Sequence, residues 1–89
     1  MQELYISAHT CRDEAGRSHT FQYFLLQSES VYENRLCKDY GVMVRASEAE
    51  QVRIPHITTD HDRIVNLLSL LKTHGVSPAH LSDVIEDWL

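Results

Sequence analysis

Two helix boundaries set close together in the last third of the chain constrain its fold more than any other feature. Thr59-Asp60-His61-Asp62 supplies a hydroxyl and two carboxylates where a helix start leaves N–H groups free. Thr59 fits the cap, and Asp62 stands at the capping-box position. Ile64, Leu67, Leu68 and Leu71 then recur at i, i+3, i+4 and i+7. That spacing predicts a helix over 60–74 with one apolar stripe and with Lys72 and His74 at its negative end. Gly75 suits the left-handed residue that closes a helix, Ser77 caps the next one and Pro78 fills its first position. Val76 can pack on Leu81 across that cap. Leu81, Val84, Ile85 and Trp88 repeat the helical spacing over 78–88, leaving Asp83, Glu86 and Asp87 toward solvent. Two such helices joined by a tight corner need an apolar surface to lie on.

The first half of the chain supplies it as strands. Leu4, Ile6 and Ala8 alternate with polar residues over 3–11, the period of a sheet with one buried face. A polar link follows at Arg12–Arg17. Strand two, over 18–27, is apolar on both faces, with Phe21, Tyr23 and Leu25 on one side and Phe24 and Leu26 on the other. Pairing Arg12 with Arg17 sets Ala8 opposite Phe21, Ile6 opposite Tyr23 and Leu4 opposite Leu25. Alternation resumes over 40–46 and again, briefly, over 50–54. Pro55 then removes a ladder donor, which suits an edge strand. The intervening 28–39 is rich in charged and turn-forming residues and reads as a loop that folds over Phe24 and Leu26.

Strands first and helices second is the order of an α+β fold. It predicts a four-stranded antiparallel meander with both helices on one face, in one small domain over 1–89. Phe24, Leu26 and Met43 would then lie on the uncovered face, the kind of apolar grouping that marks association.

Tyr40-Gly41-Val42-Met43-Val44, the link Ile57-Thr58-Thr59-Asp60 and the tail from Val76 to Leu89 resemble a family of short bacterial proteins known only as a domain of unknown function. The likeness covers most of the chain. It is best in the tail, where Pro78, His80, Leu81 and Asp83-Val84-Ile85-Glu86-Asp87 precede an aromatic residue and a terminal leucine. It implies no activity and no cofactor. Against the shorter hairpin of that family, 28–39 reads as an insertion.

The chemistry available to the chain is sparse. A formal charge of −5, from 13 acidic and 8 basic residues, repels the phosphate backbone on which nucleic-acid affinity rests. No apolar run reaches the roughly 20 residues of a membrane span. With no secretion signal evident, a cytoplasmic location is expected, with Cys11 and Cys37 as free thiols. His9 and Cys11 share one face in the register above while His19 falls on the other, so no metal is expected there. His56 and His61 match no zinc spacing, the three glycines form no phosphate loop, and neither cysteine has a base in a recognisable motif. The expectation is therefore no enzyme and no cofactor. A small interaction or regulatory module remains, binding another protein or a second copy of itself. The alternative is an acidic inhibitor, of the phage or mobile-element type, whose Asp83, Glu86 and Asp87 occupy the basic groove of a nucleic-acid-binding enzyme.

Overall fold

The computed structural model describes residues 1–89. Four strands, β1 (Gln2–Arg12), β2 (Ser18–Tyr32), β3 (Arg35–Arg45) and β4 (Gln51–Thr58), form one antiparallel sheet in the order β1-β2-β3-β4. Helix α1 (His61–His74) follows. A short 3₁₀ turn at Pro78–His80 then leads into helix α2 (Leu81–Trp88). This is the α+β meander with its helices on one sheet face that the order of signals predicts.

The helix-covered face carries the core. Tyr23, Leu25, Val42 and Val44 from the sheet meet Ile64, Leu67, Leu68 and Leu71 of α1 and Leu81 and Ile85 of α2, all buried. Val76 joins the same cluster at the corner between the helices. Asp60, one residue beyond the expected Thr59, caps α1: its carboxylate accepts from the N–H groups of Asp62 and Arg63. The Thr59 reading fails by one position because Asp60 has the extended backbone that aims its side chain back at the first turn. Gly75 closes the helix at φ 60°, and its N–H donates to Leu71 and Lys72 carbonyls.

The register of β1 differs from expectation over half its length. Leu4 does face Leu25, but the pairing shifts by one between Tyr5 and Ser7, so Ser7 faces Tyr23 and His9 faces Phe21. Ile6 is the bulged residue. It is 46% exposed and lies with Leu25, Val65 and Leu68 at the side of α1, while the extra residue reverses the side to which the later side chains of β1 point. The same shift sets Cys11 opposite His19, on one face rather than on two.

Strand β4 also departs from its expected end. It runs through Pro55 to Thr58 because the ladder breaks there: Val42 faces Ile54 and Tyr40 faces Thr58. Only Gly41 on β3 spans the interval that Pro55, His56 and Ile57 occupy on β4. His56 takes φ 58° in this bulge, and its Nδ1 lies 2.8 Å from an Asp39 carboxylate oxygen. A proline needs no ladder partner at such a position.

The second sheet face is closed by a different device. Glu3 and Arg53 form an ion pair, although they belong to opposite edge strands. Their side chains therefore reach toward each other across β2 and β3. Glu3 stands beside Leu26 and Arg53 beside Met43 in register, and Met1 Sδ lies 4.0 Å from Arg53 Nη2. Leu26 and Met43 are 1% and 2% exposed beneath this strap. Residues 28–39 do not fold over them, contrary to expectation, and continue the β2–β3 hairpin outward. The long arginine stem covers apolar surface as well as carrying charge. Arg53→Ala is accordingly expected to cost about 1 kcal/mol in urea unfolding, against a few tenths for Glu3→Gln, which keeps the stem.

Candidate interaction surface

The segment expected to be a loop is the outer half of a long hairpin. Strand β1 ends its pairing at Gln2 opposite Gln27, and β4 ends at Thr58 opposite Tyr40. From Ser28 to Asp39 the β2–β3 ribbon therefore runs on without a paired strand on either edge. Ser28 faces Asp39, Ser30 faces Cys37, Val31 faces Leu36 and Tyr32 faces Arg35. A Glu29–Lys38 ion pair at 3.7 Å links the strands midway. Glu33 and Asn34 close the ribbon with φ 49° and 63°. Two positive φ values in a two-residue loop are the form whose twist matches a hairpin. The arm makes the molecule 55 Å long but only 25 Å by 17 Å across. Its radius of gyration of 14.2 Å exceeds the roughly 12 Å of a compact chain this size.

Three large apolar side chains crowd the end of this arm. Val31 is 73% exposed, Tyr32 69% and Leu36 63%. Leu25 and Val42 show which side is which: alternation from them puts Val31 and Leu36 on the helix-bearing side, and Tyr32 on the other. An isolated two-stranded ribbon is marginal in water, and apolar groups at its tip add nothing to the core of their own chain.

The residues singled out in the sequence separate into two groups. Phe24 and Met43 face each other across β2 and β3 and share their face with Leu26. Phe24 is partly buried and packs edge-on against Tyr5 at 5.6 Å. The structure thus places Leu26 and Met43 in the interior rather than in an open patch. Asp83, Glu86 and Asp87 lie exposed on α2, over the opposite sheet face, and none of them enters an ion pair within the chain. Sequence reasoning missed Val31, Tyr32 and Leu36 as site residues. The available signal was two short β-forming pairs, Val31-Tyr32 and Leu36-Cys37, set around Asn34, a residue that tolerates positive φ.

A groove of about 310 Å³ lies on the helix-bearing side of the sheet, between β1 and α1. Ile6, Leu25, Val65 and Leu68 form its apolar floor and wall, with His61 and Lys72 spaced along the helix side. Val65 is 42% exposed. Lys72 makes no ion pair within the chain.

Two ionisable groups are displaced from their ordinary behaviour, and neither lines this groove. Asp13 is held below the ordinary 3.8, first by its hydrogen bond with His19 at 2.9 Å and then by the Arg17 and Ala15 N–H groups. Burial pushes the Tyr23 hydroxyl up to about 12, with the charge of Cys11 adding to the effect. Tyr23 donates to the Val76 carbonyl at 3.0 Å, so the sheet holds the corner between the helices. His9, Cys11 and His19 share a face without converging, and no three His, Cys, Asp or Glu side chains come together as metal ligands would. No helix is long and apolar enough to cross a membrane.

A family model matches residues 2–89, almost the whole chain. The chain belongs to DUF6514, a family of unknown function. No curated protein and no solved structure matches it. For this DUF6514 chain the geometry of the arm and groove is therefore what a functional reading has to rest on.

Proposed function

We propose that the chain is a non-enzymatic protein-interaction module whose contact element is the β2–β3 arm. One observation carries this reading: Val31, Tyr32 and Leu36 stand mostly exposed at the end of a ribbon that has no strand on either side. Exposed apolar groups gathered on a projecting element are stabilised when a partner removes them from water. Tyrosine suits such a place, because it offers contact area with little entropy to lose. The displaced ionisable groups, Asp13 at a turn and Tyr23 in the core, are both engaged structurally.

A photo-crosslinking phenylalanine analogue in place of Tyr32 tests the arm directly in the cells the chain comes from. Adducts to protein, this chain included, are expected from position 32. The same analogue at Ser47, in the exposed β3–β4 connection, serves as control. Equal yields at the two positions would end the proposal.

The acidic face of α2 favours a second reading, as an inhibitor seated in a basic groove. Asp83, Glu86 and Asp87 are exposed and free of internal ion pairs. Reversing all three to lysine should then weaken binding to a basic partner at least tenfold and remove most of its salt dependence. Unchanged affinity across a salt titration would dismiss it.

A further inference from the structure

We infer that the partner of the arm is a second copy of this chain, each arm lying along the outer edge of the other copy's β1 and against its α1. This rests on the arm reading above and names its occupant.

Strand β1 is an edge, so one side of its backbone has no ladder partner. The groove beside that edge is apolar in its middle, through Ile6, Val65 and Leu68. Its length fits the arm. His61 and Lys72 lie eleven residues apart on α1, about 16 Å at 1.5 Å per residue. Ser28–Tyr32, the free part of β2, spans about 13 Å as a strand and so lies within it.

Symmetry makes the contact reciprocal. The arm leaves the sheet at the end where β1 begins, since Gln2 is opposite Gln27. A two-fold axis normal to the sheet near that end sets each arm beside the partner's β1, with the arm portion of β2 parallel to it. Such an axis keeps the helix-bearing faces of both copies on one side. Val31 and Leu36, which project on that side, then meet the partner's groove. The contact is isologous and closes as a dimer. It also covers two β1 edges that would otherwise remain open to pairing.

Charge supports the same placement. Helix α1 begins beside Tyr40, against which His61 packs at 5.4 Å, and ends at Gly75, beside His9. It therefore runs in the direction of β1. An arm entering from the Gln2 end reaches Ile6 and Ser7 with its tip, where Glu33 comes to the Lys72 end of the groove. Neither Glu33 nor Lys72 has an ionic partner within one chain.

Sedimentation equilibrium of the full chain tests this. The wild type should show a monomer–dimer equilibrium. Val31→Thr/Leu36→Thr keeps strand-forming residues while removing the apolar tip, and Val65→Glu alters only the groove. Each should weaken dimerisation at least tenfold with an unchanged far-ultraviolet spectrum. An equimolar mixture of the two variants should dimerise more tightly than either alone, because one intact arm then meets one intact groove. As a pair that leaves the apolar contacts alone, Glu33→Lys should weaken the dimer and Lys72→Glu in the same chain should restore it.

A wild type that is monomeric at every concentration overturns the inference, as does a mixture no tighter than its components. If that monomer still forms adducts to another protein from position 32, the arm reading stands without the dimer. Loss of both results removes both.

Discussion

Gly41→Ala is expected to destabilise the chain by about 3 kcal/mol, the upper part of the range for forcing atoms into a packed site. A Cβ at this position would lie 2.2 Å from the Ile54 carbonyl oxygen and 2.5 Å from Pro55 Cα. Both obstacles are backbone, and both belong to the bulge that lets β4 carry Pro55 and still pair Tyr40 with Thr58. Relief would require the bulge to move away from β3. That motion would also loosen His56 from Asp39 and the cover over Met43. For a domain of this size such a loss lowers the melting temperature by roughly 15 °C. Gly16→Ala provides the contrast: its φ of 77° makes it strained, but an added Cβ meets nothing within 4 Å, and the expected cost is about 1 kcal/mol. Thermal unfolding of the two variants under one condition checks the ranking. Equal melting temperatures would show that the β3–β4 approach is looser than described.

Tyr23→Phe should cost about 2 kcal/mol, because the variant leaves the Val76 carbonyl without its donor in a site closed to water. Tyr23 is 0% exposed and its hydroxyl is 3.0 Å from that oxygen. The alkaline limb of stability gives the variant a distinct signature. The folded hydroxyl ionises near 12 against an ordinary 10.0, so the unfolded chain gives up this proton first as pH rises. The contribution of Tyr23 is complete below pH 10 and falls away between 10 and about 12. Urea unfolding of the Phe variant between those pH values should therefore show a flatter decline than the wild type. Parallel declines would mean that the hydroxyl is not held in the corner.

What was legible in the sequence was whatever one face of one element decides. The stripe Ile64, Leu67, Leu68 and Leu71 and the closing Gly75 depend on local spacing and backbone preference, and they locate α1 and the corner after it; Pro78 opens a 3₁₀ turn in which the Ser77 hydroxyl makes no capping bond, so α2 begins three residues late, at Leu81. The α+β order followed from them and from the alternation around Tyr23 and Val42. Apart from that late start and the α1 cap, which is Asp60 where Thr59 was expected, the departures arise where two strands negotiate a register. The bulge at Ile6 exchanged the faces of His9 and Cys11 relative to β2 and so put them on the side of His19, and the β4 bulge carried a strand through Pro55. Neither leaves a mark in a single strand's pattern, since each depends on what its neighbour needs. The arm was missed for a related reason. Serines and charges on 28–39 mask the alternation because no body packs on either face, and alternation in sequence reports burial within the chain. Leu26 and Met43 were placed on the correct face. Their cover, an ion pair between Glu3 and Arg53 in distant strands, has no local signal at all.

Amide hydrogen exchange, followed as protein concentration is raised, tests the central claim most directly: the β2–β3 arm is held by a second copy. Protection over Ser28–Asp39 should increase with concentration, together with that of Gln2–Ser7 on β1, while the amides of α2 stay unchanged. Exchange of the arm and of β1 at the same rates at every concentration would contradict it.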